Sequence, residues 1–396
     1  MQRNGEMQNN LVGSACRFPP HVLAPLLLAV STLSLNASPQ IENVSGAVIH
    51  GESLVLSGTE FGTKSPAAPI KWDDFEAGAP GADLSGWTLY SSGGTVPRYV
   101  DTPVRTGSTR SAHSDFTVPN NYNCSFQLLG GSWSTLFISF YHRTDYSCYS
   151  GGACYEGQGA RNSKVMRIEG NNGSLGSPQG EGVPLLAIPE KTKPNNGTDV
   201  SSIRVQYDPS LVGDTHYYGG SWNHQSWEQA TVHIDIAPSA PNKELHYWRD
   251  FQDVTRYDSN ADELQQMGLG GSVFNEIKLG FYFSSGSTAN RYIDDVYIDN
   301  TRAHVEICDT STYAARTDCA MQIPTTWSST SIGVTVNKGS FDASQEAYIY
   351  VTDSAGNVNT NGYPLTFGAG GGNNSETALP PTNVKRADKL PTPGQE

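Results

Sequence analysis

Basic and tyrosyl residues at alternate positions of strand-like runs are the residues best placed to do chemistry. In Asn275–Phe283 (NEIKLGFYF), alternation puts Ile277, Leu279, Phe281 and Phe283 on one face and leaves Glu276, Lys278 and Tyr282 on the other. The same reasoning applies to four further runs: Thr135–Arg143, Lys164–Glu169, Ser202–Tyr207 and Gln229–Ile236. If all these polar faces coincide, they form one basic, Tyr-lined groove, whose members are Tyr141, Arg143, Arg167, Arg204, Gln206, His233, Lys278 and Tyr282.

Such a groove suits an anionic polysaccharide. β-Elimination from a uronate needs cations that neutralise the carboxylate and a Tyr or His base that removes the C5 proton. Tyr282 and His233 are the candidate catalytic residues, and Arg204 or Lys278 is the candidate neutralising cation. The alternative is that these residues are the ordinary polar side of a solvated sheet.

Aromatic residues on loops supply a second set of candidate contacts. Thr215–Trp227 (THYYGGSWNHQSW) holds two Tyr, two Trp and two His in thirteen positions. Exposed rings stack on sugars, so Trp222 is a candidate substrate contact, together with Trp248 in the run LHYWRD. Alternatively, Trp222 and Trp227 cover the edge of the core.

Charge and targeting signals narrow the class of protein. The 396 residues carry 25 Lys+Arg against 39 Asp+Glu, a net charge of -14, which disfavours nucleic acid and anionic membranes as partners. An apolar run at 21–35 is too short to span a bilayer and precedes a small residue, Ala37. We therefore expect residues 1–37 to be a signal peptide, and the mature chain to be a monomer that is secreted, periplasmic or on the cell surface.

The elements that must position these residues are β-strands. Short runs rich in Val, Ile, Tyr, Phe and Thr alternate with Gly, Asn, Ser and Pro clusters, the pattern of an all-β sandwich. Only Ser259–Met267 (SNADELQQM) has helical character. Residues 368–396 are rich in Gly, Asn and Pro without an apolar pattern, which predicts a disordered tail.

Ile41–Gly62 (IENVSGAVIHGESLVLSGTEFG) resembles the opening of an IPT/TIG immunoglobulin-like domain, with Gly51, Gly58, Phe61 and Gly62 at its turns. The pattern breaks at Lys71, and a segment similar to the missing half follows Arg302. The resemblance implies one discontinuous Ig-like domain, formed by 38–70 and 301–367, with a larger domain inserted at 71–300. Two unrelated small β pieces flanking the middle are the alternative.

The 71–300 segment resembles a concanavalin-like jelly roll of the laminin-G and polysaccharide-lyase type. The motifs WDDFEAG, WEQATVHIDI, LHYWRD and IDDVYI carry the resemblance, and IKLGFYF is similar to a strand of alginate and heparin lyases. The chain has no R-x-E-x-R strand of alginate lyases. The resemblance implies that a sugar chain lies across one sheet. A polysaccharide lyase and a non-catalytic carbohydrate-binding or adhesion module both remain open.

Two further predictions concern metal and disulfides. Glu76 and Asp295 resemble the F-E-x-G and I-D-D-V elements that surround a structural Ca²⁺, although acidic turn caps would look the same. Cys148 with Cys154, and Cys308 with Cys319, are expected to form disulfides in an exported protein. A metal site is the rival interpretation of the cysteines, and Cys124 has no assigned partner.

Overall fold

A computed structural model describes residues 37–118, 120–147, 163–170, 185–191, 202–206, 215–218, 225–237, 243–254, 273–283 and 288–368. Most of the predicted signal peptide, nearly all of the predicted tail and the predicted helix at Ser259–Met267 lie outside these residues. So do Cys148, Cys154 and Trp222.

Nearly all regular structure in the described residues is strand; the exception is a single 3-10 turn at Tyr313–Ala315. No helix among these residues is long and apolar enough to cross a membrane. The strands are β1 (Gln40–Gly46), β2 (Ser53–Thr59), β3 (Lys71–Asp73), β4 (Thr88–Ser91), β5 (Arg98–Val100), β6 (Ser111–Asp115), β7 (Cys124–Trp133), β8 (Thr135–Ser147), β9 (Ser163–Glu169), β10 (Leu185–Lys191), β11 (Ser202–Gln206), β12 (Thr215–Tyr218), β13 (Glu228–Asp235), β14 (Glu244–Arg249), β15 (Gln252–Asp253), β16 (Phe274–Phe283), β17 (Thr288–Asp299), β18 (His304–Cys308), β19 (Cys319–Met321), β20 (Ile323–Trp327), β21 (Ser331–Thr335), β22 (Glu346–Thr352) and β23 (Tyr363–Thr366).

Two large antiparallel sheets enclose the main core. The seven-stranded sheet has the order β12-β11-β10-β9-β16-β7-β4, and the eight-stranded sheet has the order β15-β14-β13-β8-β17-β6-β5, with β3 also paired to β17. Apolar side chains at alternate positions meet between them, for example Ile138, Val232 and Ile293 from one sheet and Ile168 and Ile277 from the other. Burial of these alternating side chains fixes which face of each strand points inward.

Residues from both ends of the described chain form two four-stranded sheets. One has the order β1-β2-β21-β20 and the other β19-β18-β22-β23, so strands before residue 60 pair with strands after residue 320. A separate core lies between them and includes Leu54, Phe61, Val334 and Ile349. We call this unit the terminal sandwich. Its membership in the IPT/TIG family stays a prediction.

The terminal sandwich packs on the outer face of the eight-stranded sheet. The Tyr141 hydroxyl donates a 2.9 Å hydrogen bond to the Cys319 carbonyl, and the ring of Phe137 stacks on that of His304 with centroids 4.5 Å apart. Trp72 and Met321 add apolar contacts beside Phe137. The eight-stranded sheet is therefore covered on both faces over this area, and the seven-stranded sheet offers the other outer face.

A bulge in β16 changes the predicted alternation. Gly280 has a φ of +68°, and a Cβ added there would collide with the side chain of Ser114. Register shifts between Leu279 and Tyr282 follow from this bulge. The prediction that Phe281 shares the face of Ile277 and Leu279 is therefore wrong: Phe281 contacts Arg167 and Lys278 on the opposite face.

Candidate functional site

Polar residues occupy one register row across the seven-stranded sheet. Arg167 of β9 pairs with Lys278 of β16, and Lys278 also pairs with Gln127 of β7. The row continues through Ala187 to Arg204 on the other side. We call this set the basic row; in full it runs His216, Arg204, Ala187, Arg167, Lys278, Gln127 and Thr88.

Next to the basic row lie two glutamates that face each other across two strands. Glu169 of β9 pairs directly with Glu276 of β16. The Nζ of Lys278 lies 3.1 Å from Oε2 of Glu169 and 3.2 Å from Oε1 of Glu276. Arg167 forms a second ion pair with Glu169. We call Glu169 and Glu276 the acidic pair; with Arg167 and Lys278 they form a closed set of two cations and two carboxylates.

Burial makes these charges act strongly on one another. Glu169, Glu276 and Lys278 are 4%, 2% and 7% exposed. Burial raises the pKa of Glu276, with the Lys278 ammonium opposing the shift and the Glu169 carboxylate adding to it. Phe281 lies beneath both cations, its ring centroid 5.4 Å from Cζ of Arg167 and 5.3 Å from Nζ of Lys278. The two cations are thus held in place before any ligand arrives.

Tyr282 follows Phe281 near the C-terminal end of β16. It is half-buried and pairs with Lys164 of β9, whose Nζ lies 4.9 Å from the centre of its ring. Asn123 forms a bridge to Tyr282 from the β7 side. Tyr282 and Lys164 are both half-buried, whereas the two glutamates of the acidic pair are buried.

Three predicted groove residues, and the predicted sugar contact Trp248, do not lie on this face. Tyr141 and Arg143 belong to β8 and His233 to β13, all in the eight-stranded sheet. Tyr141 is bonded to the terminal sandwich as described above, His233 is 4% exposed, and Arg143 forms an ion pair with Asp145 at 2.8 Å. Trp248, on β14 of that sheet, has the guanidinium of Arg302 5.3 Å from its ring. The prediction of one common groove is therefore wrong, because period-2 alternation does not reveal to which sheet a strand belongs.

The structure brings together the remaining predicted residues. Arg167, Lys278 and Tyr282 lie on neighbouring strands, and Arg204 and Gln206 of β11 take register positions in the same sheet. Sequence reasoning missed Glu169, Gln127 and Phe281, and gave Glu276 no role. The spacings Arg167-x-Glu169 and Glu276-x-Lys278 could have revealed this arrangement. When the two strands pair antiparallel with Arg167 opposite Lys278, the two glutamates also lie opposite each other.

His233 lies in a cationic setting instead. Its ring stacks on His246 with centroids 6.1 Å apart, and Arg302 and His304 of the terminal sandwich also face it. The carboxylates of Glu244 and Asp253 lie nearby, around His246. Burial, reinforced by Arg302, His246 and His304, lowers the pKa of His233 to about 3. A neutral buried histidine of this kind is a structural residue rather than a base shared with Tyr282.

This environment predicts acid sensitivity that depends on His233. A folded-state pKa below the unfolded value means that the unfolded chain takes up the proton first, so stability falls as pH drops below about 6.5. Between pH 7 and pH 5 the contribution of His233 should fall by about 2 kcal/mol. Urea unfolding of the wild type and His233→Gln at both pH values measures it. His233→Gln should lose less stability than the wild type on acidification. An identical loss in both proteins would contradict the prediction. His50→Gln, at an exposed position, is the control and should behave like the wild type.

The predicted calcium residues are already engaged with protein groups. Glu76 accepts hydrogen bonds from the backbone of Thr109 (2.7 Å) and Arg110 (3.2 Å). Asp295 receives the Arg105 guanidinium, Nη1 to Oδ2, at 2.5 Å. The Arg105 guanidinium takes one oxygen of Asp295, and backbone amides of Thr109 and Arg110 take Glu76, so these groups compete with a cation there and the calcium site stays a prediction.

The described cysteines do not supply a reactive thiolate. Cys308 and Cys319 form a disulfide between β18 and β19, as the sequence predicts, and Glu306 lies beside them. Cys124 is buried, and burial raises the pKa of its thiol to about 11. A protonated, shielded thiol is a poor nucleophile. Among the described residues, the strongest candidate site is therefore the outer face of the seven-stranded sheet.

Comparisons with known proteins give structural likeness only. No protein-family model matches the chain, and no curated protein is similar to it. Among solved structures, a cellulose-induced protein, Cip1, matches with 15% identity and a TM-score of 0.38, covering 58% of this chain and 97% of its own. The carbohydrate recognition domain of Emp46p (10% identity, TM-score 0.31) covers 58% of this chain and 99% of its own. The winged bean acidic lectin (6%, 0.30) covers 57% and 98%. The chain itself is an all-β protein built from antiparallel sheets, as its sequence predicts.

Proposed function

We propose that the outer face of the seven-stranded sheet binds an acidic, uronate-containing polysaccharide. The observation that carries this proposal is the basic row, in which Arg204, Arg167 and Lys278 take register positions across neighbouring strands. Seven strands at about 4.8 Å spacing give a row about 29 Å long, enough for several sugar residues. A regularly charged polymer lying across the strands would meet a cation repeatedly.

We further propose that the bound chain is cleaved by β-elimination. Arg167 and Lys278 would neutralise the uronate carboxylate, which acidifies the C5 proton. Tyr282, as its phenolate, would take that proton on its oxygen and become a phenol. The C5–H electron pair becomes the C4=C5 double bond, the C4–O bond breaks with its electron pair on the departing oxygen, and that oxygen takes up a proton from water. His233 has no part in this scheme, because it lies in the other sheet.

The net charge of -14 repels a polyanion at long range, so attraction has to come from the local basic row, and affinity should fall steeply with salt. An external polysaccharide also agrees with the proposed location outside the cytosol. The second candidate, a monomeric non-catalytic binding module, uses the same row without chemistry at Tyr282. The two candidates differ in product formation rather than in binding.

The test is to incubate the protein with alginate, polygalacturonate and polyglucuronate and to follow the ultraviolet absorbance of the unsaturated uronate. Tyr282→Phe should lose at least about 99% of this signal while still retarding in a gel that contains the polysaccharide. Tyr90→Phe is the matched control, because Tyr90 is an exposed tyrosine on β4 of the same sheet. It should keep full activity.

Each outcome distinguishes the candidates. Retardation without absorbance in the wild type would assign the binding module. Reducing ends without absorbance would mean hydrolysis and would remove Tyr282 from its role. No retardation with any acidic polymer, or retardation unchanged in Arg167→Gln, would refute the proposed binding face.

A further inference from the structure

The acidic pair lies beside the cations that would bind the sugar carboxylate. Glu169 and Glu276 lie two residues along their strands from Arg167 and Lys278, so the acidic pair lies directly beside these two cations. Strand geometry separates the two rows by about 7 Å, close to the width of one sugar ring. A sugar whose carboxylate meets Lys278 would therefore turn another edge toward the acidic pair.

Carboxylates at that edge favour one kind of substituent. An ionised carboxylate can only accept hydrogen bonds, so it pairs well with a sugar hydroxyl and repels a sulfate ester. The ion pairs of Lys278 with both glutamates, at 3.1 and 3.2 Å, hold these oxygens in position. The acidic pair offsets the charge of Arg167 and Lys278, so a sulfate placed beside Glu169 and Glu276 would meet two carboxylates and no further cation among these four residues.

We propose that the acidic pair makes the site selective for uronate polymers with free hydroxyl groups and excludes sulfated ones. This inference rests on the proposed function, since it concerns the same face. Arg167 and Lys278 supply the attraction for a single carboxylate, and Glu169 and Glu276 supply the repulsive element that specificity requires. An acidic glycan as such is therefore not sufficient for binding.

The experiment compares one polymer with its own sulfated form. The polyuronate that binds best among alginate, polygalacturonate and polyglucuronate is chemically O-sulfated, and both forms are titrated against the full chain at one ionic strength. The unsulfated form should bind at least about tenfold more tightly. In Glu169→Gln and Glu276→Gln the ratio of the two affinities should approach one, because the affinity for the sulfated form rises. Glu52→Gln removes a charge from an exposed position of the terminal sandwich and should leave the ratio unchanged.

The ratio of the wild-type affinities for the unsulfated and the sulfated polymer tests the inference even if a variant folds poorly. Equal or tighter binding of the sulfated polymer by the wild type would overturn the inference while leaving the binding face intact. An unchanged ratio in both folded glutamine variants would also overturn it. Failure of every unsulfated and sulfated polymer to bind would instead refute the proposed function.

Discussion

Replacing Lys64 with methionine is expected to lower the free energy of unfolding by about 3–5 kcal/mol. The Nζ of Lys64 lies 2.5 Å from Oδ2 of Asp299, and the two side chains are 0% and 1% exposed. The hydroxyl of Tyr297 contacts both partners, at 3.0 and 2.9 Å. Burial lowers the pKa of Lys64 and raises that of Asp299, and their mutual attraction opposes both shifts. Without Lys64, the Asp299 carboxylate would be left charged in an apolar setting.

The double variant Lys64→Met/Asp299→Asn is the matched control. Asparagine keeps an oxygen that accepts from Tyr297 but carries no charge, so the double variant should be more stable than Lys64→Met alone. The single variant should also lose stability as pH rises, because its unpaired Asp299 has a raised pKa and must ionise. Urea unfolding at pH 5 and pH 8 measures both effects. A loss under about 1 kcal/mol at pH 8, the range of exposed ion pairs, would contradict the prediction.

Strand positions could be predicted from the sequence because burial has a period of two. The run predicted at Asn275–Phe283 lies within β16, which begins one residue earlier, and the motif LHYWRD covers all of β14 except its first residue. The signal is weaker in β7, because its second half, LLGGSW, interrupts the apolar pattern with two glycines. Alternation carries the signal wherever one face of a strand meets the core.

Sheet membership could not be predicted in the same way. His233 and Lys278 both alternate with buried residues, yet one strand lies under the terminal sandwich and the other does not. Period 2 separates the inward from the outward face of a strand, but the neighbour that covers the outward face comes from distant sequence. The contact of Tyr141 with Cys319 spans 178 residues, so no local pattern encodes it.

The site was only half predictable for a related reason. Alternation puts Val165 and Met166 on opposite faces, but both are fully buried in the same core, so β9 does not alternate there. The bulge at Gly280 puts Phe281, on the neighbouring strand, on the face of Arg167 and Lys278. The pairing of Glu169 with Glu276 depends on register, which is set by partners 107 positions apart in the chain.

Arg105 joins the large sheets to the terminal sandwich. It is 4% exposed; its Nη1 lies 2.5 Å from Oδ2 of Asp295 and its Nη2 lies 3.1 Å from Oδ1 of Asp318. The guanidinium also lies 3.7 Å from the centre of the Tyr141 ring. Asp294 is buried beside it, and burial together with the Asp295 carboxylate raises the pKa of Asp294 well above its usual range. One planar cation thus compensates several acidic side chains.

Arg105→Met is accordingly expected to cost about 3–5 kcal/mol, because Asp295 would be left buried without its cation. Arg105→Lys should cost less but still destabilise, since an ammonium cannot reproduce the planar two-branched contact. Arg98→Met, at an exposed position, is the control and should stay within about 0.5 kcal/mol of the wild type. Unfolding in urea at pH 7 measures all three variants.

Adding calcium tests whether the Arg105 guanidinium occupies a position that a metal cation could otherwise take. In Arg105→Met the oxygens of Asp295 and Asp318 that Arg105 contacts are freed, and carboxylate oxygens are hard ligands of the type that calcium prefers. Millimolar Ca²⁺ should therefore raise the Tm of Arg105→Met and leave that of the wild type unchanged, with chelator as the reference. An equal rise in the wild type would contradict this and would favour the predicted calcium site at Glu76 and Asp295, because the metal would then bind while Arg105 is still in place.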